Sequence, residues 1–307
     1  MNKLCSDVVP IIVTYNPDKT TLLASLRALL SQVKIIVIVD NGSHSNVNEV
    51  IQSLELEKSG NINFLALEHN YGLGKAYNAG ITIARNLKAT FVLLMDQDSI
   101  PEPDMLQILR SAHIYLEGQG KQVGAVGARY RYHKSAETSL FVRANRFGFT
   151  RLDCDKPNKF VRADFLISSG SLISINAINH IGEMDSDLFI DHIDTEWCFR
   201  AQSKGFEVYG ICGAVMLHSL GDRQVRIWWG RWRTIPFHQP FRYYYIFRNS
   251  VLLWQRSYMP VEWKRADRLR ILYFLIFFTL FSPNGIANLR MMIKGLKDGF
   301  NKRVGKL

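Results

Sequence analysis

Three short apolar runs, Val8–Tyr15, Lys34–Val39 and Phe91–Met95, each stop at a polar cluster: Thr14-Tyr15-Asn16-Pro17, Asp40-Asn41-Gly42-Ser43 and Asp96-Gln97-Asp98. Runs this short, bounded by turn residues, read as strands buried on both faces. Between them the spacing becomes helical, with Leu22, Leu23, Leu26, Leu29 and Leu30 recurring on one face. Further helices are expected at 46–57, at 72–87 where glycines punctuate the start, and at 103–116, where Pro103 suits a first turn. A strand at 63–67 falls between the first two of these. Buried strands alternating with helices predict an α/β fold, a parallel sheet with helices on both faces. Ligands of such sheets sit beyond the carboxyl ends of the strands, where all three polar clusters fall.

The pattern weakens between 130 and 165, which reads as a loop-rich strand region. Ser168-Ser169-Gly170-Ser171 leads into another apolar strand, 189–204 reads as a loop followed by a helix, and Val215-Met216-Leu217 as a short strand ending at His218. With 47% hydrophobic and 21% charged residues, the chain can bury a core and is not globally disordered. Four cysteines (Cys5, Cys154, Cys198, Cys212) stand far apart without a CxxC, which argues against a disulfide scaffold or a zinc ribbon and points to a reducing compartment. Asp7 and Pro10 interrupt the first apolar stretch, so no signal peptide is read there.

Asp96 and Asp98, two residues apart at a strand end, could grip one hard divalent cation, which in turn would neutralise a diphosphate. The structural alternative is a turn whose acids cap the next helix. No GxxxxGK[ST] loop occurs, which argues against a P-loop NTPase; Gly72-x-Gly74 lacks a third glycine, its place taken by Tyr77, which disfavours a nicotinamide enzyme. Asp40 could accept a hydrogen bond from a base imide, with Tyr15 offering a stacking ring, or could simply hold an Asp-Asn-Gly-Ser turn. Lys75, on a first helical turn, could reach a phosphate or be a solvated helix lysine. Asp191, Asp194 and Glu196 crowd into residues 189–200, suiting either a general base at a pocket wall or a helix cap. His218 is a possible third metal ligand or an ordinary strand-end histidine.

Taken in order, Val13-Thr14-Tyr15-Asn16, Asp40-Asn41-Gly42-Ser43, Asn70-Tyr71-Gly72-Leu73-Gly74-Lys75-Ala76-Tyr77-Asn78-Ala79-Gly80, Asp96-Gln97-Asp98-Ser99, Asp194-Thr195-Glu196 and His218-Ser219-Leu220-Gly221-Asp222 resemble the family-2 inverting glycosyltransferases. Together with Phe241-Arg242-Tyr243-Tyr244-Tyr245-Ile246-Phe247-Arg248-Asn249, they look most like the bacterial rhamnosyltransferase branch, which builds O-antigen and related surface polysaccharides. The resemblance implies a GT-A fold over residues 1–222, with a nucleotide-sugar half to about residue 100 and an acceptor half beyond it. It implies that Thr14, Tyr15, Asp40, Gly72, Lys75, Asp96 and Gly170 bind the donor. Asp98, with His218, would hold Mg²⁺ or Mn²⁺, and Asp194 would be the catalytic base. Many relatives have an acidic pair ending at that aspartate, whereas Ile193 precedes it here, so Asp191 and Glu196 stay open as rivals. The implied donor is dTDP-β-L-rhamnose and the implied acceptor a polyprenyl-diphosphate-linked glycan. An aspartate reading an imide serves uracil and thymine alike, so a UDP-sugar donor is the alternative.

Residues 219–307 hold 17 Lys/Arg against four Asp/Glu and five of the six tryptophans, while the chain as a whole carries +11. Residues 223–307 are expected to be helical, basic and close to a membrane. The uncharged run 271–281 would span roughly 16 Å as a helix, about half a hydrocarbon core. A helix after Ser282-Pro283 places Ile286, Leu289, Ile293, Leu296 and Phe300 on one face and Arg290, Lys294 and Lys297 on another, suiting an anionic lipid interface or packing on the body. The expected location is cytoplasmic, peripheral on the inner face of the bacterial cell membrane. A nucleic-acid-binding protein would explain the tail but not the aspartates at the sheet edge, so no nucleic-acid partner is expected; a nucleotidyltransferase with the same metal logic is the nearest enzymatic rival.

Overall fold

Strands β1 (Val8–Thr14), β2 (Ile36–Asp40), β3 (Ile62–Ala66) and β4 (Phe91–Asp96) are all parallel and lie in the order β3-β2-β1-β4. The computed structural model describes residues 4–53, 61–132, 138–146, 148–152, 154–157, 159–218, 223–228 and 232–307, and only the backbone of 132, 223–228 and 232–236. The alternation of side chains explains why these strands are apolar throughout. Ile11, Val13, Val37 and Val39 pack on one face with α3 (Leu73–Asn86). Ile12, Ile36, Ile38 and Leu93 pack on the other with α1 (Lys19–Leu30) and α4 (Met105–Gly118). Helices thus cover both faces, as the sequence predicts. Helix α2 (Val47–Gln52) is described only to Ser53, so the expected extension through 54–57 lies outside the described residues.

The second half of the nine-stranded sheet is mixed rather than parallel. Strand β10 (Ser171–Ser174) runs antiparallel between β4 and β6 (Val123–Tyr132), and β6 pairs in parallel with β11 (Glu207–His218). Two short strands, β5 (Ser99–Pro101) and β9 (Phe160–Arg162), add antiparallel to β11. The reversal at Gln97-Asp98 carries the chain from β4 to β5 and sets Ser99 opposite His218. A strand's hydrophobicity reports its burial and not its direction, which is why the sequence reads as uniformly parallel. The weak region at 130–165 contains a hairpin, β7 (Phe141–Asn145) with β8 (Gly148–Leu152).

Cys154 and Cys212 form a disulfide that ties the chain after β8 to β11. The sequence, read as carrying no disulfide scaffold, does not display this pair: 58 residues separate the two cysteines, yet the sheet brings their Cα atoms to 5.4 Å. A disulfide also sits poorly with the expected reducing compartment. Cys5 and Cys198 are free and buried.

The carboxyl-terminal region opens with a hairpin, β12 (Arg223–Trp228) with β13 (Trp232–Phe237), where the sequence predicts helix; α7 (Pro240–Trp254), α8 (Val261–Leu280) and α9 (Gly285–Phe300) follow. Every residue of α7 from Tyr243 to Leu253 is buried. Helix α9 lies against it through a face the apolar pattern does not mark: Asn288, Met292, Gly295 and Gly299 are buried, whereas Ile286, Ile293 and Phe300 are exposed. A Cβ at Gly295 would come within 2.4 Å of the Tyr244 carbonyl oxygen, so only glycine permits this approach. No helix among the described residues is long and apolar enough to cross a membrane.

Candidate active site

Asp96 closes β4, Asp98 follows in the reversal and His218 ends β11; one ligand atom from each lies within 4.8 Å of the others. The histidine is held in place. Its Nδ1 shares a 2.6 Å hydrogen bond with Ser99 Oγ, which accepts in turn from Ser169 Oγ at 2.8 Å. Burial raises the Asp98 carboxyl above its usual range, His218 opposes the rise and Asp96 adds to it. Two oxygen donors and an imidazole so placed fit a divalent cation.

Tyr77, on α3, is fully buried and donates its hydroxyl to Asp96 Oδ1 at 3.2 Å. Burial, together with Asp96, Asp194 and Asp98, holds its phenol well above the usual value, so it stays a donor. It is a buried group that feels the charge of all three acids, and sequence reasoning passed over it as a glycine's replacement. A buried aromatic on a helix gives no other sign in sequence.

Thr14 and Asp40 face each other across the β1–β2 pair, and Thr14 Oγ1 donates to Asp40 Oδ1 at 2.8 Å. Ser43 closes the turn on the same carboxylate through its amide (3.0 Å) and hydroxyl (2.6 Å). The turn role of Asp40 is therefore real, and one of its roughly four lone-pair positions is left for a ligand. Tyr15 is exposed beyond the edge, its amide donating to Gln97 Oε1 at 2.7 Å. Lys75 is exposed on the first turn of α3, its Nζ 4.6 Å from the centre of the Tyr71 ring. Gly72 precedes that helix at φ 91°, where a Cβ would meet the Phe189 carbonyl oxygen at 2.7 Å. Gly170, at φ 79°, packs against Met216 and Ala128 where β10 begins. The motif residues 219–222 lie outside the described residues.

Asp194 sits in the first turn of α6 (Ile193–Ser203). Its Oδ2 accepts from the Ser168 amide at 3.1 Å and its Oδ1 from the Thr195 amide at 2.7 Å. Burial pushes its pKa up to about 6, against the lowering effect of those amides. The two rival acids are otherwise engaged. Asp191 pairs with Arg242 at 3.0 Å, and Glu196 is fully buried between Arg200 (2.8 Å) and Arg256 (3.1 Å). The spacing of Glu196 and Arg200 is that of a helical ion pair, which the sequence already displays.

The loop before Asp194 holds three non-glycine residues in left-handed or otherwise positive-φ conformations: Phe189, Asp191 and His192. Such backbone persists only where its surroundings over-determine it, and α7 supplies them. Asn249 Nδ2 donates to the carbonyls of Leu188, Ile190 and Asp191 at 2.8–2.9 Å. Arg248 reaches the Leu188 carbonyl at 2.8 Å, and Arg270 of α8 bonds His192 Nε2 at 2.9 Å.

A profile described as glycosyl transferase family 2 matches residues 11–167, half of the chain, and the chain belongs to that family. It is a glycosyltransferase with a GT-A-like fold. Among proteins of known function it is 28% identical over 257 residues to the dTDP-rhamnosyl transferase RfbF of Shigella flexneri, covering 83% of this chain and 82% of that one. Its fold matches a crystal structure of GalNAc-T7 with UDP, GalNAc and Mn²⁺ (TM-score 0.62, 12% identity, 98% of this chain and 57% of that one). It also matches S. aureus TarS 1-349 in complex with UDP-GlcNAc (TM-score 0.55, 14% identity, 96% of this chain and 81% of that one).

Proposed function

We propose that the protein transfers L-rhamnose from dTDP-β-L-rhamnose, with inversion, to a lipid-linked glycan in the assembly of a bacterial surface polysaccharide. The observation that carries the chemistry is Asp194: a carboxylate with raised proton affinity, close enough to the acidic pair after β4 for Asp96 to add to that rise. Asp194 takes the proton of the acceptor hydroxyl as its oxygen bonds the anomeric carbon from the face opposite the leaving group. The bond from that carbon to the diphosphate breaks, and its electron pair leaves with the nucleoside diphosphate. Asp96, Asp98 and His218 would hold Mg²⁺ or Mn²⁺, whose charge stabilises the departing diphosphate. Lys75 lies on the helix that begins beside this edge and adds a further positive charge. Thr14, Tyr15 and Asp40 hold the base and ribose, with Gly72 and Gly170 giving the backbone close approach.

The rhamnosyl donor is supported by the similarity to the Shigella protein over most of both chains. Thermal shift with a panel of nucleotide sugars tests it, since a ligand that binds only the folded state raises the melting temperature. The largest shift is expected for dTDP-rhamnose with Mn²⁺. A larger shift with a UDP-sugar would move the donor, and no shift with any would overturn the reading.

We also infer attachment to an anionic membrane surface. Leu272, Tyr273, Ile276, Leu280, Phe281 and Ile286, on α8, α9 and the turn between them, are each at least half exposed, beside the basic face of Arg290 and Lys297. Wild-type protein is expected to sediment with anionic vesicles and to be only partly released by high salt. A Leu280→Ser, Phe281→Ser, Ile286→Ser variant is expected to lose the salt-resistant part. Equal binding to neutral and anionic vesicles, or to neither, would overturn the attachment. Point variants suit this test because deleting 283–307 would strip α9 from α7.

A further inference from the structure

The sequence motif at 241–249 lies on α7, and one face of that helix rests on the loop before Asp194. Arg242, Tyr245 and Asn249, spaced three and four residues apart, form that face. The loop is a rare piece of backbone. Phe189, at φ 64° and ψ −62°, is the centre of a positive-φ γ-turn, closed by the Ile190 amide on the Leu188 carbonyl at 2.8 Å. Asp191 and His192 follow at φ 64° and 65°. Side chains other than glycine adopt such conformations only when held from outside.

The carbonyls of the loop show where the hold comes from. That of Phe189 accepts from the Leu73 amide at 2.6 Å, at the start of α3, the helix that carries Lys75. Those of Leu188, Ile190 and Asp191 are bonded by Asn249 Nδ2 instead. The His192 carbonyl accepts from the Glu196 amide at 2.8 Å and so opens α6. The loop therefore links the helix beside the donor edge to α7, and Asp194 stands two residues beyond it.

Asn249 is fully buried and its amide can point only one way. Its Oδ1 accepts from Arg248 Nε at 3.0 Å, which leaves both N–H bonds of Nδ2 for the three carbonyls. Aspartate has the same shape but no N–H, and would set a carboxylate against those carbonyl oxygens. The Phe189 ring stacks on Tyr245 at 5.0 Å, so the turn is packed as well as bonded.

We propose that Asn249 is a positioning residue for transfer: through the backbone of 188–192 it fixes the place of the Asp194 carboxylate relative to the start of α3. This deepens the glycosyltransferase reading and rests on it.

Asn249→Asp and Asn249→Ser test the proposal, with the melting temperature showing that each is folded. Both are expected to lower kcat by about ten- to a hundredfold, the scale of a reacting group misplaced by about 1 Å. Asn249→Ser, which keeps one donor, should be the milder. The KM and Kd of the nucleotide sugar should change by less than about twofold, since the loss lies in the chemical step. In an Asp194→Asn background neither substitution should cost anything further, because a residue acting through the base has nothing left to place. Hydrogen exchange of the amides at 188–192 should speed up in both variants, a readout that needs no turnover. Unchanged kcat in a folded variant would overturn the proposal. So would an equal loss in the Asp194→Asn background, or a loss carried by donor KM, which would place the effect at the nucleotide sugar. If Asp194→Asn itself keeps full transfer, the base reading fails. Exchange then still decides the loop, and unchanged exchange at 188–192 would overturn the hold of Asn249 on it.

Discussion

Asp194→Asn is expected to reduce sugar transfer by about 10² or more while nucleotide-sugar binding survives, the usual scale for removing a general base. The substitution keeps shape and an acceptor oxygen for the Thr195 amide, so the start of α6 should hold, at the cost of the longer bond from the Ser168 amide. What it removes is a site for the acceptor's proton. The wild-type carboxyl, raised by burial to about 6, is about nine-tenths ionised at pH 7 and a stronger base than an exposed aspartate. The pH profile of transfer should therefore fall on its acid side with a midpoint near 6, as protonation disables the base. That limb should vanish from any residual activity of the variant. If Asp194→Asn stays active while Asp191→Asn or Glu196→Gln loses transfer, the base is one of the other acids. Their ion pairs with Arg242, Arg200 and Arg256 weigh against that outcome.

Asp98→Ala is expected to abolish divalent-dependent transfer with the fold intact. The side chain is partly exposed in the reversal after β4, so its loss leaves no cavity in the sheet. It does take one oxygen ligand from the Asp96, Asp98 and His218 group, which has no fourth His, Cys, Asp or Glu among the described residues. Full activity of this variant, or of wild type in EDTA, would remove the metal from the mechanism and leave the stabilisation of the leaving group to side chains such as Lys75.

Strands β1, β2 and β4 were readable because burial on both faces forces apolar side chains at every position, and because Thr14, Asp40 and Asp96 end them at one edge. The direction of β10 was not readable, since Ser171–Ser174 would look the same either way. The cysteine pair was hidden for a related reason: proximity across a sheet is set by strand order, not by sequence separation. Asp96, Asp98 and His218 carry their chemistry in their own side chains and show themselves as motifs. Tyr77 does so only through three acids that approach from elsewhere. Arg248 and Asn249 are the hardest case. Their partners are mostly main-chain carbonyls, which have no letter in a sequence, and their aromatic neighbours resemble a membrane anchor. Helix α9 misled in the opposite way, because its glycines form the packed face and its isoleucines the free one.

The hold of α7 on the loop before the base has a consequence for how the enzyme is made. Arg248 bonds the carbonyls of both Leu188 and Gly305, and the Gly305 amide bonds the Asp187 carbonyl. The segment that aims Asp194 is thus finished by residues synthesised well after it, from Arg248 and Asn249 to Gly305. A nascent chain on the ribosome can form the parallel half of the sheet, with its donor edge, while the catalytic loop still lacks its hydrogen-bond partners. Such long-range closure is slow, since the loop entropy is lost before these contacts can return it. Catalytic competence then arrives late and all at once, so a chain stopped short could hold a nucleotide sugar without being able to transfer it.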